Sequence, residues 1–117
     1  MLTVADIERT CEFYSRVLGF EVIEKDGRRA LRFGEQKINL HKSGREFEPK
    51  AARPTPGSGD FCLISATPLD EVQRTLEAAG VRIELGPVER SGALGRMMSL
   101  YFRDPDGNLV EVSKYLP

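Results

Sequence analysis

The chain carries one structural plan twice. Leu18-Gly19-Phe20-Glu21-Val22 and Ala79-Gly80-Val81-Arg82-Ile83 align at an offset of 61 residues, and in both an apolar helical stripe ends at a glycine before a strand. In the first copy Asp6 is the expected N-cap, Ile7, Cys11, Tyr14 and Leu18 share one helical face, and Gly19 supplies the left-handed end. Strands are expected from Phe20 to about Lys25, Arg28 to Phe33 and Lys37 to His41, with Asp26-Gly27 as a two-residue hairpin turn. In the second copy Phe61 to Ser65 reads as a strand, and Thr67-Pro68 as an N-cap and first helical residue. Leu69, Val72, Leu76 and Ala79 form the stripe, which Gly80 ends. Strands at Val81 to about Leu85, Met97 to Phe102 and Asn108 to Lys114 follow, with a Gly/Ser-rich loop at 91–95 and a turn at 104–107. Each half is therefore β-α-β-β-β, an α+β plan with one helix backing a four-stranded mixed sheet. A single half is too small to bury both faces of its sheet. Two of them, packed side by side, are expected to curl into an open half-barrel with the helices outside.

The boundaries follow from loss of periodicity. Module one is placed at about 1–42 and module two at about 60–117. Between them, 43–59 holds Pro49, Pro54, Pro56, Gly57 and Gly59 among charges and reads as a surface connector. At 117 residues this is one domain. Seventeen basic against 18 acidic side chains leave a net charge of −1, which gives nucleic acid or an anionic membrane no electrostatic hold. Cys11 and Cys62 are too few for a disulfide framework and lack CxxC spacing. No apolar run is long enough for a membrane span, so the cytoplasm is the default location.

Strand alternation sorts the side chains that have chemistry. Ile38 and Leu40 face the first helix, leaving Asn39 and His41 on the other face. Val110 and Val112 face the second helix, which leaves Leu109, Glu111 and Ser113 opposite, with Asp60, Cys62 and Ile64 turned the same way on the strand at 60–64. The chain's one histidine and a carboxylate thus hold equivalent strands of the two halves, where both can point into one cavity. That pairing suggests a divalent ion acting as a Lewis acid on a substrate's oxygens. A packed core histidine and a solvated or ion-paired glutamate are the competing readings. Asp104-Pro105-Asp106-Gly107 reads as a turn. Arg90, Ser91 and Arg96 are placed in or beside a loop that closes over an anionic or carbonyl substrate, or is simply solvated. Cys62 and Cys11 are read as packing, and Phe13, Tyr14 and Phe20 as core or interface aromatics.

Three stretches carry a resemblance: LTVADIERTCEFYSRVLGFEV at 2–22, INLH ending at His41, and YFRDPDGNLVEV around Glu111. Together they resemble the vicinal-oxygen-chelate superfamily of glyoxalases, extradiol dioxygenases and fosfomycin- and bleomycin-resistance proteins. The segments ARPTPGSGDFCLI and GPVERSGALGRMMSLYFRDPDGN look most like its small glyoxalase-domain-containing members. The resemblance implies metal ligands on the first and last strands of each half. By position these are His41, Glu111 and, where a histidine is usual, Asp60. The remaining first-strand histidine falls two residues before Met1, so the native start is expected upstream, or the lineage is metal-free.

Two functions follow from the resemblance. One is a metal-dependent lyase, isomerase or dioxygenase on a vicinal-oxygen substrate, with a divalent ion (Zn, Fe, Mn or Ni) held by His41, Glu111 and Asp60 and with Glu111 as the proton-transfer group. The alternative is a metal-free protein that binds or sequesters a small molecule, as bleomycin-resistance members do. Either implies a small-molecule partner and a homodimer, with the modules paired within one chain or swapped between two.

Overall fold

The computed structural model describes residues 1–117. The order is β1 (Leu2–Val4), α1 (Ile7–Leu18), β2 (Glu21–Lys25), β3 (Arg28–Phe33), β4 (Gln36–Lys42), β5 (Asp60–Ile64), α2 (Leu69–Ala78), β6 (Ile83–Gly92), β7 (Gly95–Arg103) and β8 (Leu109–Tyr115). The repeat read from the sequence is thus observed as two βαβββ modules. Their sheets run β1-β4-β3-β2 and β5-β8-β7-β6, and neither closes. In each, the first strand lies parallel to the last while the other neighbours are antiparallel, so both sheets are mixed. The chain divides into two compact units, residues 1–59 with 104–108, and residues 60–103 with 109–117.

In the first unit α1 begins where expected, Asp6 accepting a 3.0 Å hydrogen bond from the Arg9 amide. It ends on Gly19 in the left-handed region, with the Gly19 and Phe20 amides donating back to Ser15 and Tyr14. The buried stripe is Thr10, Cys11, Phe13, Tyr14 and Val17, so Ile7 and Leu18 flank it, half-buried, instead of anchoring it. Beneath it lie Val4, Leu31 and Leu40, each at most 1% exposed. Asp26 and Gly27 both take positive φ, the requirement of a two-residue hairpin turn matched to strand twist.

The turn at 104–108 belongs to this unit although it joins β7 to β8. Asp104 organises it. Its Oδ1 accepts the Asp106 and Asn108 amides, and its Oδ2 accepts Tyr14 Oη at 2.7 Å and Asn108 Nδ2 at 2.8 Å. Asn108 Oδ1 accepts the Gly59 amide, and Asp106 Oδ1 accepts that of Ala5. The motif DPDGN is structural here, as the sequence suggests.

Two local expectations in the second unit are corrected. Thr67 does not cap α2. Pro68, whose side chain has no acceptor, takes the cap position, and Thr67 lies one residue before it in a turn where its amide donates to Ser65 Oγ at 3.0 Å. Nor is there an open loop at 91–95. β6 runs on to Gly92, and only Ala93 and Leu94 turn the chain into β7. Pro87 and the register shifts around it disguise the strand in the sequence: a proline supplies no amide to a ladder and is tolerated where pairing is interrupted. Val72 and Leu76 of α2 are buried, as are Leu100, Phe102, Val110 and Val112 of the sheet it backs.

Candidate functional site

In the first unit β4 turns Leu40 toward the core and His41 to the opposite face, in register with Thr3 of β1. His41 is nonetheless only 1% exposed, and its Nε2 is buried with no hydrogen-bond partner. Part of the cover comes from the connector. The Phe47 ring lies 4.2 Å from the imidazole, centroid to centroid, at 53°, and the Arg28 guanidinium sits 3.7 Å from the same ring's centroid. Next to it, Glu46 accepts the Gly44 amide at 2.9 Å, and that bond is the main reason its carboxyl is held below the usual range. Sequence pattern does not single out Phe47. Its one signal is being the only large apolar side chain between Ser43 and Gly59.

In the second unit three neighbouring strands set Cys62, Glu111 and Tyr101 in one row, each in register with the next. Ser113 lies one pleat along from Glu111 on the same face and donates to Glu111 Oε2 at 3.0 Å. Ser113 Oγ also lies 2.6 Å from Ser99 Oγ and 3.3 Å from Cys62 Sγ. Burial, and then the Glu111 charge, push the Cys62 thiol up, so it stays protonated at neutral pH. Asp60 opens β5 on the same face, exposed and in register with Leu109, so Cys62 and not Asp60 stands directly opposite Glu111.

Arg90, Ser91 and Arg96 do not form a closing loop, because they lie in β6 and β7. Arg90 Nε donates to Tyr101 Oη at 3.0 Å, and Arg96 pairs with Glu89 at 3.5 Å. Of the residues singled out as metal donors, Glu111 and Asp60 share a face of the second unit, and His41 belongs to the first. An open groove of about 800 Å³ in the first unit, lined by Glu21, Ile23, Arg32, Phe33, Gln36 and Lys37 among others, includes none of them.

The architecture and these residues can be set beside known proteins. Residues 1–112 match the model of the Glyoxalase/Bleomycin resistance protein/Dioxygenase superfamily. Virulence protein STM3117 of Salmonella typhimurium is 56% identical over 117 residues, covering 99% of this chain and 81% of its own length. Its crystal structure superposes with a TM-score of 0.95, covering 98% of this chain and 92% of that one. Glyoxalase domain-containing protein RDO1 of Mycosarcoma maydis is 47% identical over 98% of this chain, which spans only 65% of that relative. Lactoylglutathione lyase from Agrobacterium tumefaciens, 27% identical, matches with a TM-score of 0.72 over 97% of this chain and 88% of its own. A twice-repeated βαβββ plan, with an imidazole and a carboxylate on the last strands of its modules, and matches of this extent lead to one statement: the chain belongs to the Glyoxalase/Bleomycin resistance protein/Dioxygenase superfamily.

Proposed function

We propose that the protein is a metal-dependent small-molecule enzyme, a lyase, isomerase or dioxygenase acting on a substrate with adjacent oxygens. His41 Nε2 carries this reading. A buried imidazole nitrogen without a partner forfeits hydrogen-bond energy of about 1–3 kcal/mol, and a neutral imidazole is a common donor to divalent ions. Glu111 supports it from the second module, its carboxylate held by Ser113 through one oxygen only. Imidazole and carboxylate are the donor types that a borderline cation of the Zn, Fe, Mn or Ni kind takes. His41, Glu111 and Asp60 are the donors this reading puts to the test, although no three His, Cys, Asp or Glu side chains already form a metal-holding group in the structure. Such an ion supplies Lewis acidity to a substrate oxygen that gains negative charge.

The chain's own residues do the rest. Phe47 keeps water from His41, and Glu111 exchanges a proton with the carbon or oxygen that reacts. The test is metal content and affinity for Zn²⁺, Mn²⁺, Ni²⁺ and Fe²⁺ (the last under argon), measured by elemental analysis and calorimetry on wild type, His41→Ala and Glu111→Gln. About one ion per chain, with affinity falling at least tenfold in each variant, is expected. Equal stoichiometry and affinity in all three removes the proposal. An absence of metal together with thermal stabilisation by a small ligand selects the sequestering alternative.

A further inference from the structure

We propose that Ser113, steadied by Ser99, is the positioning residue that aims Glu111; as a metal-site role this rests on the reading of Glu111 given above. β8 places Glu111 and Ser113 two residues apart, hence on one face. Hydrogen counting then fixes the direction of the chain of bonds. A serine hydroxyl has one hydrogen to give and two lone pairs, and an ionised carboxylate only accepts. Ser113 gives its hydrogen to Glu111 Oε2 at 3.0 Å. Its oxygen is therefore the acceptor for the Ser99 hydroxyl at 2.6 Å and for the Cys62 thiol, a weak donor, at 3.3 Å.

Ser99 and Ser113 are in register across β7 and β8 and both are 0% exposed, so neither hydroxyl has solvent as an alternative partner. The order Ser99 to Ser113 to Glu111 engages Oε2 and leaves Oε1 as the oxygen available to an ion or a proton. Partners one step behind a donor set its orientation, and their loss commonly weakens metal binding about 10- to 100-fold.

The experiment compares wild type, Ser113→Ala, Ser113→Thr and Ser99→Ala in two ways: metal-free crystal structures that show the Glu111 side chain, and Co²⁺ binding followed by visible absorption. Wild type and Ser113→Thr, which keeps the hydroxyl, are expected to hold Glu111 in one rotamer. In Ser113→Ala the carboxylate spreads over several rotamers and Co²⁺ affinity falls about tenfold, with a smaller loss in Ser99→Ala. Ser99→Ala also serves as the truncation if Ser113→Ala does not fold. Glu111 unmoved in the alanine variants overturns the proposal, whatever the metal result. A freed carboxylate with unchanged Co²⁺ affinity, or a wild type that takes up no Co²⁺, leaves Ser113 as the positioning residue and removes Glu111 as a metal donor.

Discussion

Tyr14 Oη donates a 2.7 Å hydrogen bond to Asp104 Oδ2, joining the middle of α1 to the β7–β8 turn across 90 residues of chain. Tyr14 is fully buried and Asp104 is 6% exposed, so the bond forms out of water, where a charged acceptor makes it strong. Tyr14→Phe removes the donor and leaves a buried carboxylate oxygen with one partner fewer. A loss of about 1–3 kcal/mol is expected from urea unfolding at pH 7.

The same pair predicts a pH dependence. Burial first, and the Asp104 charge second, raise the Tyr14 phenol far above its ordinary value of 10.0. Below pH 10 the phenol is protonated whether the chain is folded or not, so its contribution is constant. Above pH 10 the unfolded chain releases that proton and the native one keeps it, so stability falls as pH rises. Unfolding between pH 8 and 11 should show this decline in wild type, and a shallower one in Tyr14→Phe. Equal slopes would mean that Tyr14 ionises normally in the native state.

Two glycines separate backbone strain from crowding. Gly27 has φ +75° and open space where a methyl group would stand, whereas Gly86 has φ +112° and a Cβ there would lie 2.5 Å from the Ser99 carbonyl oxygen. Gly27→Ala is expected to cost about 1–2 kcal/mol, the left-handed penalty alone. Gly86→Ala adds a collision with backbone that cannot swing away, and should cost about 3 kcal/mol or more. Similar losses in thermal unfolding of the two variants would refute the distinction.

The repeat, the helix ends and the strand faces are legible in the sequence because each rests on local chemistry: Asp6 as a cap, Gly19 and Gly80 at positive φ, and alternation through Ile38-Asn39-Leu40-His41. Thr67 fails as a cap because the helix begins one residue later than its spacing suggests, with Pro68 at the cap position and Thr67 drawn into a turn with Ser65, an arrangement that spacing does not reveal. The length of β6 is hidden by Pro87, whose effect depends on whether pairing is already interrupted there. At the candidate site, the row formed by Cys62, Glu111 and Tyr101 comes from register between strands, β5 being far in sequence from β7 and β8, and Phe47 reaches His41 through an irregular segment with no period. Faces are written locally; register and loop return are not.

The two cysteines should react very differently. Cys11 is 4% exposed on the buried face of α1 beside Arg29, and Cys62 is exposed on β5. Desolvation raises both thiols above the usual 9.0, although Cys62 Sγ is only partly shielded where it meets Ser113, so neither is a ready thiolate at pH 7. Ellman's reagent is expected to modify one thiol per native chain, slowly at pH 7 and faster as pH rises toward 9, and two after denaturation. Mass spectrometry should place the native label on Cys62. A label on Cys11 would show that α1 opens on the timescale of the reaction.

Phe47 gives the most direct test of the environment of His41, because the chain has a single histidine and any histidine signal is unambiguous. The ring covers the imidazole at 4.2 Å and is itself held by the Arg28 guanidinium at 3.7 Å. Phe47 is only half-buried, so Phe47→Ala should cost less than a full core truncation, about 1–2 kcal/mol of contact and cation–π energy. Its larger effect is exposure. Diethylpyrocarbonate, which acylates neutral imidazole and absorbs near 240 nm as the adduct, should modify His41 at least tenfold faster in Phe47→Ala than in wild type. Phe47→Leu, keeping an apolar cover without the ring, should fall between them. If all three react alike, water and small reagents already reach His41, and the ring of Phe47 is packing that leaves the imidazole open.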